Sequence, residues 1–173
     1  MIRFNSGAAL SAIAAVLLLA ACTTKPQAQA EAPPGPVTTQ SQSTQSTIIP
    51  GSAEDLRVNV GDTVHFAYNR SDIQDEDRGT LQRQATWLQR YPQIRVTVQG
   101  NCDERGTREY NLALGARRAN SVKEYLVSLG VSSGRVDTIS YGKEKPVCTE
   151  SDESCWAQNR RGVTVISSGG ASS

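Results

Sequence analysis

Residues 100 to 120 read GNCDERGTREYNLALGARRAN, the densest run of groups able to do chemistry in the chain. An alternating apolar stretch ends at Gly100, a loop carries Asp103, Glu104 and Arg105, and a helix is expected to begin near Thr107. On that helix Asn111 and Arg118 stand seven residues apart, so they share a face, separated by two turns. A carboxylate just before the helix and a guanidinium on its face make a site of two opposite charges. The complement of such a pair is a zwitterion, with an ammonium for Asp103 and a carboxylate for Arg118. The same spacing equally suits an internal Asp103–Arg118 ion pair that only orients the loop.

Other chemistries are poorly provided for. His65 is the single histidine, which argues against histidine-based metal sites and leaves one candidate base for any nucleophile. The four cysteines show no C-x-x-C spacing, so neither a metal nor a cofactor is expected. Cys148 and Cys155 flank TESDES in a long polar segment. In an exported protein the pair is expected to form a disulfide, since a bridge there would pin a loop with little core of its own, although the loop could also hold the two thiols apart. Cys102 is expected to be a small buried hydrophobe, and a reactive thiol beside Asp103 is the sharper alternative. Asp103 and Glu104 are adjacent acids, which does not imply the carboxylate separation of glycoside hydrolysis. Across 173 residues, 18 basic and 17 acidic side chains leave a net charge of +1, no reason to expect a nucleic-acid partner.

The ends of the chain indicate where these residues work. Residues 7–21, GAALSAIAAVLLLAA, form an uncharged apolar run that is short for a membrane span and fits a secretory signal. It ends Leu19-Ala20-Ala21-Cys22, the pattern of a bacterial lipobox, so Cys22 is expected to be lipidated and to begin the mature chain. An ordinary signal peptide with a chance cysteine is the alternative. Thr23, rather than Asp, favours the outer membrane. Residues 22–50, rich in Thr, Ser, Gln and Pro, are expected to be a tether averaging roughly 30 Å end to end. Residues 51–167 are expected to fold, and 168–173 to form a disordered tail.

Within the folded part, Val64, Phe66 and Tyr68 alternate as a strand, and a helix is expected over 76–91, capped by Asp75 or Asp77 and stopped by Pro92. Ile94, Val96 and Val98 suggest a second strand. A second helix, 107–129, carries the stripe Leu112, Ala116, Ala119, Val122, Leu126 and Leu129, with Gly130 as its stop. Val136, Ile139 and Tyr141 suggest a third strand, and Val163 and Val165 a fourth after the polar segment 143–158. The order β-α-β-α-β-β implies an α+β sandwich, with two helices on one face of a mixed sheet.

Four segments carry a resemblance: HFAYNRSDI (65–73), VTVQGNCDERGTREYNLALGARRANSVKEYL (96–126), ISYGKEKP (139–146) and NRRGV (159–163). Together they resemble the signature of the OmpA-like peptidoglycan-binding domains and, more closely, the peptidoglycan-associated lipoproteins of the Tol–Pal system. The resemblance spans the whole folded part and includes the lipobox and the tether. It implies a ligand, the meso-diaminopimelate of the peptidoglycan stem peptide, whose side-chain end is the zwitterion inferred above. It places Asp103 on the amine, Arg118 on the carboxylate, and Tyr110, Asn111, Tyr68 and Asn69 around the pocket. It further implies TolB and the Tol complex as partners, with roles in envelope integrity and cell division.

Asn101 stands where the family usually has His, so it keeps a hydrogen bond but cannot become cationic. Ala116 stands where Glu is frequent, which could loosen Arg117 or Arg118. Arg160 and Arg161 match the family's NRR turn and are expected to bond backbone carbonyls and acidic neighbours. Alanine at Asp103 or Arg118 is expected to abolish wall binding and leave the fold intact. Against this non-catalytic tether stand two other readings: an enzyme acting on peptidoglycan, and a lipoprotein of the same domain type serving a secretion or motility assembly.

Overall fold

The structure is a computed structural model that describes residues 48–172. The signal segment, Cys22, most of the expected tether and Ser173 lie outside the described residues. Among the described residues no helix is long and apolar enough to cross a membrane.

A helical turn α1 (Ala53–Asp55), capped by the Ser52 side chain, runs into a π-helical turn (Leu56–Val60). Then come β1 (Thr63–His65), α2 (Asp75–Arg90), β2 (Arg95–Asn101), α3 (Arg108–Ser128), β3 (Val136–Gly142), α4 (Glu153–Asn159) and β4 (Arg161–Ser168). The sheet order is β1-β4-β2-β3. Strand β2 runs parallel to β3 and antiparallel to β4, with Val98 opposite Thr138 on one side and Thr164 on the other. The expected mixed sheet with its two main helices on one face is therefore present, and two shorter helical segments are added to it. Leu81, Ala85 and Leu88 of α2 and Ala119, Val122 and Leu126 of α3 bury against Val64, Phe66, Val96, Val98 and Val136.

Several boundaries differ from the sequence reading for identifiable reasons. Strand β1 stops at His65, yet Phe66 stays in the core and donates its N–H to the Arg160 carbonyl at 2.9 Å. Residue Gln74, not an aspartate, precedes α2; Asp77 instead accepts the His65 N–H at 2.9 Å. Thr107 caps α3 by accepting the Tyr110 N–H, and Gly130, at φ +93°, ends it as expected.

The apolar stripe of α3 holds only from Ala119 onward: Leu112 is 50% exposed, and the first half of the helix turns Asn111, Leu114, Gly115 and Arg118 inward. Gly100 does not end its strand. It sits inside β2, where a Cβ would lie 1.8 Å from the Gly115 carbonyl oxygen, so two glycines let α3 ride directly on the sheet.

Segment 143–158 contains α4, and Cys148 and Cys155 are joined as a disulfide with Cα atoms 5.2 Å apart. Residues 168–172 follow a defined path rather than trailing free: Ser168 closes β4 opposite Arg95, and Ala171 donates its N–H to Gly51 at 3.1 Å.

Candidate functional site

The C-terminal end of β2, the N-terminal half of α3, the loop after β1 and the turn before β4 converge at one pole of the sheet. Between them lies a narrow pocket of about 50 Å³, lined by Tyr68, Asn69, Cys102, Asp103, Arg105, Gly106, Tyr110, Asn111, Leu114 and Arg118. Six of the seven residues expected at the site are there. The seventh, Asn101, supports it from below: its carbonyl accepts from Arg118 at 2.8 Å, its side-chain amide donates to Gln99, and its buried Oδ1 has no partner.

Arg118 is fully buried. Its Nε donates to the Arg70 carbonyl at 2.8 Å, its Nη1 to Asn101 at 2.8 Å and its Nη2 to Ala67 at 3.1 Å. A guanidinium carries five N–H groups, so two remain beyond these three carbonyls, with the Cys102 thiol placed to bond one of them. Burial lowers its hold on the proton, which a group of this intrinsic basicity tolerates at neutral pH. Ala116 offers Arg118 no side-chain partner, and the arginine is held by the three backbone carbonyls.

Asp103 is only 4% exposed and does not pair with Arg118. Its Oδ1 accepts the Arg105 backbone N–H at 3.1 Å and Arg105 Nε at 3.2 Å, while Oδ2 accepts Arg105 Nη2 at 2.5 Å and Arg160 Nη1 at 3.3 Å. Burial alone would raise its pKa, but the bonds from Arg105 and Arg160 outweigh it and hold the carboxyl below the ordinary range.

Arg105 is fixed in turn. Its guanidinium lies between two aromatic rings, 4.1 Å from the centre of Tyr68 and 4.0 Å from that of Trp156, a cation–π sandwich. Asn111 donates to the Arg105 and Thr107 carbonyls at 2.8 and 3.1 Å, closing the loop onto α3. Asn69 adopts the left-handed region at φ +57°, which asparagine tolerates, and its side chain accepts from the Tyr110 hydroxyl. The mouth is rimmed by exposed Tyr68 and Tyr110.

The sequence reading passed over Arg105, Trp156 and the Asp103–Arg160 contact. Arg160 does bond a backbone carbonyl and acids, as expected: Phe66 at 2.9 Å, Glu153 at 2.6 Å, and Asp103. Arg161 donates to the Asn159 and Lys145 carbonyls. Cys102 is buried, its thiol donating to the Asn111 carbonyl at 3.3 Å, and burial pushes its pKa up, the opposite of an activated nucleophile. His65 lines a separate cleft with Glu76 and Asp77. No cluster of three metal-ligating side chains occurs among the described residues.

The OmpA family model matches residues 65–160. Among curated proteins, the peptidoglycan-associated lipoprotein of Agrobacterium fabrum is 57% identical over 121 residues, covering 70% of this chain and 68% of that one. The protein of the same name from Rhizobium meliloti is 57% identical over 124 residues, covering 72% and 69%. Among solved structures, the peptidoglycan-associated lipoprotein from Burkholderia pseudomallei superposes with a TM-score of 0.60 at 46% identity, covering 61% of this chain and 89% of that one. The cell wall anchor of the type VI secretion system from Pseudomonas aeruginosa shares the fold, with a TM-score of 0.55 at 24% identity over 69% of this chain and all of that one. These are families of structural, non-enzymatic proteins. With more than half of the chain matched by the family model and over two thirds of close relatives covered, the chain belongs to the peptidoglycan-associated lipoproteins of the OmpA family.

Proposed function

We propose that this pocket binds the side-chain end of meso-diaminopimelate in the stem peptide of peptidoglycan, and that lipid on Cys22 holds the other end of the chain in the outer membrane. The observation that carries the reading is the pairing, in one pocket, of a buried carboxylate and a buried guanidinium that do not neutralise each other. The ligand carboxylate meets the N–H groups of Arg118 that the three carbonyls do not use, displacing the Cys102 thiol where they meet. The ammonium takes over the two long contacts of Asp103, from Arg105 Nε and Arg160 Nη1. The 2.5 Å bond from Arg105 Nη2 and the Arg105 backbone N–H keep the acid aimed. Binding needs no bond made or broken in the ligand.

The exposed rim of Tyr68 and Tyr110 also suits a protein partner. By family membership that partner is TolB, which would place the chain in the Tol–Pal system and in cell division. Because the rim surrounds the pocket, TolB and wall would compete for it.

The test is calorimetric titration of the purified protein with a muropeptide carrying meso-diaminopimelate, against one carrying lysine in that place. Lysine supplies the ammonium without the carboxylate. The reading expects binding of the first only; equal binding of both, or of neither, overturns it.

A further inference from the structure

Helix α4 stands beside the pocket but lines little of it, and its hold on the protein is unusual. Of residues 143–158 only Cys155 is buried, so the segment has one inward apolar anchor, and that anchor is half of the disulfide. A helix of seven residues has little stability of its own. The rest of its attachment is polar: Asn159 accepts from Val147 and Cys148 and donates to Cys148, which closes the same loop the bridge closes.

From this segment two side chains reach toward the site, and a third, Arg160, follows it. Trp156 stacks on Arg105 and donates its indole N–H to Glu104 at 2.9 Å. Glu153 accepts from Arg160 at 2.6 Å and lies 3.6 Å from Arg105. Arg160, directly after the helix, reaches Asp103. Both guanidiniums that bond the Asp103 carboxylate are thus steadied by groups on the disulfide loop.

We infer that α4 is a positioning element for the pocket and that the Cys148–Cys155 bridge sets its grip, so that ligand affinity is linked to the redox state of these two cysteines. The inference rests on the stem-peptide reading above. With the bridge intact, Trp156 and Glu153 hold Arg105 where it aims Asp103. With it open, α4 loses its cross-link to Cys148 and keeps only its backbone join to β4 and the Asn159 hydrogen bonds, so the ligand must order the loop as it binds, which costs affinity. The opening step is thiol–disulfide exchange with a dithiol. One thiolate attacks a bridge sulfur to form a mixed disulfide, and the second displaces it. The protein gains two thiols, and the dithiol leaves as its own disulfide, two electrons passing to the protein.

The experiment titrates the purified full chain, in detergent, with the diaminopimelate muropeptide before and after dithiothreitol, with thiols counted by mass spectrometry and folding followed by circular dichroism. A Cys148→Ser/Cys155→Ser variant repeats it without reductant. Reduced protein that is still folded is expected to bind roughly 5- to 10-fold more weakly. Trp156→Ala with the bridge intact is expected to lose a similar factor, and reduction of that variant to add little, because both changes remove the same contact on Arg105. Unchanged or tighter binding on reduction overturns the inference, as does full additivity of the two losses. Absence of binding by the oxidised wild type would instead overturn the stem-peptide reading.

Discussion

Arg118 is built into the fold as firmly as into the site. It ties the loop after β1 to the end of β2 through three carbonyls, so Arg118→Ala would leave three buried acceptors short of a donor, each costing about 1–3 kcal/mol. The expectation that alanine there spares the fold is therefore corrected: binding and stability fall together. Asp103→Asn keeps the shape but removes the charge an ammonium needs and turns an amide N–H2 toward the donors of Arg105 and Arg160; it is expected to weaken muropeptide binding by more than about tenfold and to lower the thermal midpoint as well. The pH dependence follows from the same group. Its folded pKa is depressed, so the ionised state and its stabilising pairs are fully present above the ordinary carboxylate pKa and are lost only as pH falls through the lower folded value. Affinity measured by titration should therefore stay flat from pH 7 to pH 5 and decline only below the usual carboxylate range; a midpoint near pH 6 would mean that another group controls binding. Asp103, Asn111 and Arg118 were legible in the sequence because they lie within sixteen positions, at spacings a helix converts to one face. Trp156 and Arg160 were not, since only tertiary structure carries them more than fifty residues back to Asp103 and Arg105.

Elements with a periodic apolar pattern were readable to within a residue or two: α2, β2, β3 and the second half of α3. Where burial is not apolar, the pattern fails. The first half of α3 turns Asn111 and Arg118 inward, so Leu112 was wrongly drawn into the stripe; α4 is anchored by a cysteine; and the turns at 53–60 bury only Asp55, Leu56 and Val60. Gly100 read as a stop because glycine often is one, whereas the packing uses it to bring helix and sheet into contact. That contact makes a graded prediction. Gly100→Ala drives a Cβ into the Gly115 carbonyl, which cannot move without moving α3, and should cost about 3 kcal/mol or more in chemical denaturation. Gly115→Ala meets the Ser140 hydroxyl at 2.3 Å and the Gly100 carbonyl oxygen at 2.9 Å, and should cost less because a serine can rotate away. The reverse order would refute this account of how α3 is seated.

For the molecule as a whole, the telling relation is between the pocket and the point where the chain enters its fold. Gly51 takes the Ala171 N–H just beyond the end of β4, beside Arg95 at the start of β2. Asp103 and Arg118 lie past the other end of β2, seven residues away, or about 20 Å at the rise of an extended strand. Entry and pocket therefore occupy opposite poles, which is what the proposed link between membrane and wall needs: a chain pulled from its N-terminal side presents its pocket away from the pull. Attachment geometry tests this directly. Protein coupled to beads through its N-terminal end should capture diaminopimelate muropeptides with the affinity it shows in solution. Protein coupled through a cysteine introduced at Tyr68, on the rim, should lose most of that capture relative to the same Tyr68→Cys variant free in solution. If both attachments capture equally, ligand does not enter past the aromatic rim. If N-terminal coupling alone abolishes capture, the pocket does not face away from the anchor and the tether arrangement is wrong.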